Sequence, residues 1–327
     1  MNILVTGGTG FAGSHLVKRL LFRGHEVHVL DIQEGHHYKE LLKLGARIKL
    51  GSVTDKRLVE ESVDGCDIVY HTAAAFRQIN ATKKFYWDVN VEGTRNMLEA
   101  SLNAQVKKFI HCSTIGIYGN VQNPPADENS HPSPADYYQY SKLEGEKIAK
   151  DYSSKGLYTV IIQPSGIYGP GDLGRFLILY RLVKKGVFFM FGDGNISYHT
   201  VYIDNLLDGF ELVSEIEGIN GQSFIIADEH YYTLNELVVH VARSMETEIK
   251  IRHMPYLPLW FVSLIIENLY KPFRIAPPLF RRRAEWFRMV RAFSIEKAKN
   301  ILGYNPKIDL PEGLLSTATW YRDNGHI

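Results

Sequence analysis

Cysteine is scarce in this chain, with only Cys66 and Cys112 among 327 residues. Neither stands in a CxxC or metal-ligand spacing, and each lies within an apolar run. This excludes a disulfide-stapled scaffold, predicts no metal site, and leaves two reduced, buried thiols in a cytoplasmic protein as the expectation. Long hydrophobic runs are missing too. A bilayer span needs roughly 20 apolar residues, and the nearest approach, LPLWFVSLII at 257–266, is too short. No charge sign dominates: Lys+Arg 37 against Asp+Glu 36 leaves a formal net charge of +1, so no global field recruits nucleic acid. Low-complexity stretches and internal repeats are absent as well. The N-terminal MNILVTGGTG carries no basic segment and no cleavage site, so it is expected to open the fold rather than to serve as a signal peptide.

What is present is an ordinary globular composition, 45% hydrophobic and 22% charged. From residue 2 to about 163, β-rich runs alternate with helical patterns. NILVT, EVHVLD, ARIKLG, DIVYHTAA, KKFIHCST and YTVIIQP are separated by stretches such as FAGSHLVKRLLFRG and DVNVEGTRNMLEASLNA. Near-continuously apolar strands spaced by helices predict a parallel sheet covered on both faces. The fold class is therefore α/β, a doubly wound parallel sheet of Rossmann type with its crevice at the carboxyl ends of the strands. After Pro164 the rhythm changes, with the turn-rich PSGIYGPGDLG, a helix FLILYRLVKKG, and FGDGNISYHTVYIDN, which is expected to return a strand to the main body. The organisation predicted is a dinucleotide-binding domain over 1–164, joined by a returning segment at about 196–227. A smaller, mainly helical C-terminal substrate lobe takes 165–195 and 228–327.

VTGGTGFAGSHLVKRL places Gly7, Gly10 and Gly13 between a strand and a helix. One glycine permits the tight turn, another lets backbone N–H groups approach a pyrophosphate, and the third allows close helix–strand packing. The spacing is GxxGxxG rather than GxGxxG. Asp31 closes the second strand eighteen positions after Gly13, where a carboxylate can accept both ribose hydroxyls and repel the extra phosphate of NADP. NAD is the expected cofactor.

DYYQYSK at 136–142 offers three tyrosines ahead of a lysine. At about 100° per residue, Tyr138 lies roughly 40° from Lys142, while Tyr137 and Tyr140 lie about 140° and 160° away. Only Tyr138 shares a face with the lysine. A lysine ammonium one turn away favours the phenolate, so Tyr138 can exchange a proton with a substrate hydroxyl. KKFIHCST ends a strand in Ser113 and Thr114, either of which could orient the reacting oxygen.

These features together resemble the extended short-chain dehydrogenase/reductases, the group that includes NAD-dependent sugar epimerases and dehydratases and the 3β-hydroxysteroid dehydrogenases. The resemblance runs nearly end to end, through TGGTGFAG, HTAA, NVEGT, STIGIYG, YQYSK, PSGIYGP, VYIDN and AKNILGYNP. It implies that the catalytic hydroxyl is Thr114 rather than Ser113, that Tyr138 is the acid/base, and that Lys142 lowers its pKa and holds the nicotinamide ribose. By the same resemblance Gly7, Gly10, Phe11, Ala12, Gly13, Asp31, Ser52, Val53, Ala73, Ala74, Asn90, Tyr138, Lys142 and Pro164 would hold NAD. His71 gains no proton-transfer role from it, and a homodimer through helices at about 88–104 and 137–155 is implied.

The chain also departs from the pattern. Ser52 stands where an aspartate commonly faces the adenine. Gly166 and Tyr198 occupy two positions where nucleotide-sugar members carry an asparagine and an arginine that grip a diphosphate, while Arg288 and Arg291 remain available for a third. Ser165, Gly166 and Tyr198 are the candidate substrate contacts. The late stretch MPYLPLWFVSLIIENLYKPF, followed by RIAPPLFRRRAEWFRMVR, sets apolar residues beside basic ones, suited to a hydrophobic alcohol, a membrane surface or a plain core. These features lean toward the 3β-hydroxysteroid branch. A redox-neutral epimerase or dehydratase of UDP- or dTDP-sugars is the alternative, and a non-catalytic NAD(H)-binding regulator the second.

Overall fold

The computed structural model describes residues 1–76, 81–270, 277, 279 and 281–327. The first half alternates Asn2–Thr6 (β1), Phe11–Phe22 (α1), Glu26–Asp31 (β2), Tyr38–Lys43 (α2), Arg47–Leu50 (β3), Lys56–Val63 (α3) and Ile68–His71 (β4). Lys83–Trp87 (α4) runs through a π-turn at Asp88–Glu92 into Gly93–Asn103 (α5), and Lys108–Cys112 (β5), Tyr137–Ser154 (α6) and Thr159–Pro164 (β6) follow. Beyond these come Gly166–Tyr168 (β7), Arg175–Val183 (α7), Val187–Phe191 (β8), Ser197–Tyr198 (β9), Thr200–Tyr202 (β10), Ile203–Glu215 (α8) and Ser223–Ile226 (β11). The chain closes with Tyr232–Thr233 (β12), Leu234–Ser244 (α9), Lys250–Met254 (β13), Tyr256–Tyr270 (α10), Arg281–Ala284 (α11), Glu296–Leu302 (α12) and Leu310–Asp323 (α13).

Seven strands form one sheet in the order β11-β6-β5-β4-β1-β2-β3, and every pairing in it is parallel. Strands covered by helices on both faces must be apolar throughout, and β4, β6 and β11 are buried at every position. The edge strand β3, Arg-Ile-Lys-Leu, instead exposes its charged residues, which blunts the open edge. The sheet order reverses between β1 and β4, and the carboxyl ends of β1, β4 and β5 stand level through the pairs Thr6↔His71 and His71↔His111. An α/β sheet opens its ligand crevice at such a reversal.

The strand that rejoins the sheet is β11. The FGDGNISYHTVYIDN segment instead gives β9 and β10, which pair with β12 and β7 in small two-stranded ladders. Two apolar cores flank the sheet, and a third, built around Tyr168, Tyr180, Leu237 and Leu314, lies under the elements that follow β6. Cys66 is buried and Cys112 half-buried, both as free thiols. No helix among the described residues is long and apolar enough to cross a membrane.

Candidate active site

The glycine loop is shaped by close approach. Gly7 has φ +70°, and a Cβ there would stand 2.8 Å from the backbone of Ala73 at the end of β4. A Cβ on Gly13 would come within 2.2 Å of the Gly7 carbonyl oxygen. Only glycine lets the loop, β4 and α1 meet this closely. Helix α1 begins at Phe11 with Gly10 as its N-cap, no capping side chain and no acidic residue in its first turn. Its leading N–H groups, among them those of Ala12 and Gly13, thus present the positive helix end to an anion. These residues fit the pyrophosphate of a dinucleotide.

Asp31 ends β2. Its Oδ2 accepts from the Thr9 backbone N–H at 2.9 Å and the Thr9 hydroxyl at 2.7 Å, and its Oδ1 accepts from the Ile32 N–H at 2.8 Å. The carboxylate therefore braces the glycine loop while retaining acceptor capacity for ribose. Ser52 is occupied locally, its Oγ accepting from the Thr54 N–H at 3.2 Å and bonding the Thr54 hydroxyl at 2.8 Å. Val53 is buried, and its carbonyl accepts from Asn96 Nδ2 at 3.1 Å.

Asn90, on the π-turn, is fully buried and clamps Ala75. Its Oδ1 accepts from the Ala75 N–H at 2.8 Å, and its Nδ2 donates to the Ala75 carbonyl at 3.2 Å and to Ser141 Oγ at 2.9 Å. It thus fixes the backbone after Ala73 and Ala74 against α6. His71 lies beneath, bonded through Nδ1 to Thr6 Oγ1 at 2.8 Å and through Nε2 to Thr94 Oγ1 at 3.0 Å. The Thr94 hydroxyl donates to the Asn90 carbonyl, so Nε2 carries the hydrogen. Burial pushes the His71 pKa down to about 3. This neutral imidazole holds the strand end together.

The DYYQ stretch is a helix start. Asp136 caps α6, its Oδ1 accepting from the Gln139 N–H at 2.8 Å, and Gln139 Oε1 accepts from the Ala135 N–H at 2.6 Å. The cap places Tyr138 in the first turn of α6. Its ring lies 5.1 Å from that of Phe76 and 6.3 Å from that of Tyr86. Tyr140 points elsewhere, 40% exposed with its ring 6.4 Å from Trp87. Lys142, only 2% exposed, donates from Nζ to the Cys112 carbonyl at 2.7 Å. Burial lowers its pKa below the ordinary lysine value. Thr114 stands just past β5, its Oγ1 accepting from the Gly116 N–H at 3.0 Å, whereas Ser113 is 4% exposed with a buried Oγ.

On the other side of the crevice, Pro164 ends β6 and Ser165 follows, buried, its Oγ without a hydrogen-bond partner among the described residues. The two departures at 166 and 198 prove to be one: a Cβ on Gly166 would stand 2.7 Å from the Tyr198 hydroxyl, so the missing side chain makes room for the ring. Arg175, at the start of α7, donates from Nη1 to the Tyr198 hydroxyl at 2.8 Å. The Arg291 guanidinium stands 5.8 Å from the centre of the same ring.

A family model described as NAD dependent epimerase/dehydratase family matches residues 3–227, well over half of the chain. The chain belongs to that family. It is 30% identical over 96% of its length to the Arabidopsis thaliana 3β-hydroxysteroid-dehydrogenase/decarboxylase isoform 1, covering 78% of that protein. It is 29% identical to the N-acetyl-α-D-glucosaminyl-diphospho-ditrans,octacis-undecaprenol 4-epimerase of Escherichia coli O157:H7, over 78% of this chain and 76% of that one. Among solved structures, dTDP-glucose 4,6-dehydratase from Streptomyces venezuelae with NAD and TYD bound superposes with a TM-score of 0.79. It shares 26% identity, with 99% of this chain and 98% of that one covered. Like its relatives, this epimerase/dehydratase family member is an NAD-dependent enzyme.

Sequence reasoning missed Arg175. Positions 166 and 198 suggested that an anion grip had been lost, yet the fold brings Arg175 and Arg291 to one tyrosine from 116 residues apart. The signal available was an arginine at the first position of a helix after the glycine-rich PGDLG turn. The Asp136 and Gln139 cap was likewise legible and unread.

Proposed function

We propose that this chain oxidises a secondary alcohol, or reduces the matching ketone, on an apolar, 3β-hydroxysteroid-like substrate. NAD, when bound, supplies the hydride-accepting nicotinamide carbon. Tyr138, as its phenolate, accepts the hydroxyl proton and becomes the phenol, and Thr114 hydrogen-bonds the reacting oxygen and aims it at the Tyr138 oxygen. Lys142, whose Nζ donates to the Cys112 carbonyl, keeps a positive charge beside Tyr138 and orients the cofactor ribose. The observation that carries the apolar reading is the aromatic wall around the acid/base, with the Phe76 and Tyr86 rings flanking Tyr138. The Arabidopsis relative's steroid chemistry supports it. The outer surfaces of α5 and α6 are proposed to pair two copies in the cytoplasm, an arrangement readable by light scattering.

The second reading, a redox-neutral epimerase or dehydratase acting on a UDP- or dTDP-sugar, is favoured by Arg175 and Arg291 beside Tyr198, since two guanidiniums suit a diphosphate. The test is a panel of hydroxysteroids, other apolar alcohols and nucleotide sugars, followed by reduced-nicotinamide absorbance and by product analysis. Alcohol oxidation that falls roughly 10²-fold or more in Tyr138→Phe, with NAD binding kept, supports the dehydrogenase. Sugar epimerisation without net reduced cofactor replaces it with the second reading.

A further inference from the structure

We propose that α10 docks this protein on an anionic lipid surface. The helix wears its amphipathicity inside out. Leu257, Phe261, Ile265 and Leu269 recur every fourth residue and are 64%, 55%, 57% and 62% exposed, with Val262 beside them at 46%. At about 100° per residue the exposed positions of α10 fall within an arc of roughly 140°. Within that arc the one polar residue is Asn268, at its edge. Ser263, on the opposite side, is fully buried, and its hydroxyl donates back to the Leu259 carbonyl at 2.7 Å. A water-facing helix side is ordinarily the polar one. A contiguous apolar stripe left outward marks a surface built to be covered.

Charge identifies what covers it. Between residues 250 and 291 nine Lys/Arg stand against two Glu, a local excess of seven in a chain whose net charge is +1, so the remainder carries an excess of six acids. The Arg288 guanidinium lies 4.9 Å over the Tyr256 ring at the start of α10, and Arg281 pairs with Glu267 at 3.1 Å near its end. Arg252, four residues before the helix, and Arg283, just beyond Arg281, are exposed. Arg288 and Arg281 meet α10 on the side away from the stripe, so the basic excess belongs to the segment around the helix. An exposed apolar stripe within a locally basic segment suits the boundary between acyl chains and anionic headgroups, where each signal alone binds weakly and the two together anchor. A second copy suits it less. Symmetric pairing would set like charge against like, and the stripe offers on the order of 500 Å² per copy, against the roughly 800 Å² each partner gives a standard interface.

The inference goes beyond the proposed reaction and is read without turnover, so a failure to find steroid oxidation leaves it standing. The full chain, loaded with NAD, is sedimented with vesicles of phosphatidylcholine alone and of phosphatidylcholine mixed with phosphatidylglycerol. Wild type is expected to bind the mixed vesicles, less so at high salt. Phe261→Glu with Ile265→Glu is expected to lower the bound fraction tenfold or more. Arg252→Glu with Arg283→Glu is expected to lower it roughly tenfold on mixed vesicles only. An unchanged NAD-induced rise in melting temperature certifies that each variant is folded. Wild type that stays in the supernatant, or a Phe261/Ile265 variant that binds as wild type does, overturns the proposal. So does a dimer that Phe261→Glu turns into monomer in the absence of any vesicle binding, which assigns the stripe to a second copy.

Discussion

Replacing Lys142 by methionine separates the chemistry of this buried lysine from its packing. Methionine keeps the length and most of the volume of the stem while removing the ammonium and its bond to the Cys112 carbonyl. Leaving that carbonyl without a partner costs about 1–3 kcal/mol. Against this stands the relief of a buried charge, whose effective desolvation penalty is several kcal/mol before compensation. Burial is the largest influence on Lys142 and holds its pKa below 10.5, so the ammonium is costly to the fold at neutral pH. The two effects nearly cancel, and Lys142→Met is expected to unfold in urea within about 1 kcal/mol of wild type, or later. Turnover, by contrast, should fall roughly 10²–10⁴-fold under the proposed mechanism, in which the Lys142 charge assists proton transfer at Tyr138. The pH dependence has a definite sign. The folded state binds fewer protons at Lys142 than the unfolded state does below 10.5, so wild type gains on the variant as pH rises toward that value. A variant that loses more than about 3 kcal/mol of stability while the surviving folded fraction turns over normally would make Lys142 a structural residue and sink the reasoning.

Asp31→Ala removes both the ribose acceptor and the brace on Thr9, so NAD affinity should drop roughly 10–100-fold while NADP use rises in relative terms; an unchanged cofactor preference in steady-state kinetics refutes the assignment. Gly166→Ala forces a methyl against the Tyr198 hydroxyl and should cost about 1–3 kcal/mol in chemical denaturation, and less in a Tyr198→Phe background, where the obstructing oxygen is gone. Equal costs in the two backgrounds would show that the ring does not limit position 166. Asp228 accepts from the Thr200 hydroxyl, the Tyr202 N–H and Asn205 Nδ2, yet burial raises its pKa to about 6. Its folded state therefore holds a proton that the unfolded chain releases, and wild type should gain about 1 kcal/mol over Asp228→Asn between pH 7 and pH 5. Parallel urea midpoints across that range would exclude it.

Much of this was legible along the chain because it is local. Apolar runs of strand length with helical spacers dictate a covered parallel sheet, the glycine spacing dictates where backbone must approach backbone, and a four-residue step on a helix sets Tyr138 and Lys142 on one face. Asp31 was assigned from its place at the end of a strand that the pattern predicts, whereas Thr114, rather than Ser113, and Asn90 were assigned only by the family resemblance. Residues that meet only through folding were not legible. Arg175 and Arg291 reach Tyr198 from separate elements, β11 rather than the 191–205 segment takes the last place in the sheet, and Ser52 is held by its own turn. The most telling case is 257–266. Hydrophobicity alone fits a core helix, a pocket wall or a membrane-facing stripe equally well, because composition records how apolar a segment is and not which side of it the rest of the molecule covers. The tertiary packing, which buries Ser263 and leaves Leu257, Phe261, Ile265 and Leu269 outward, excludes the plain core helix, something composition could not do.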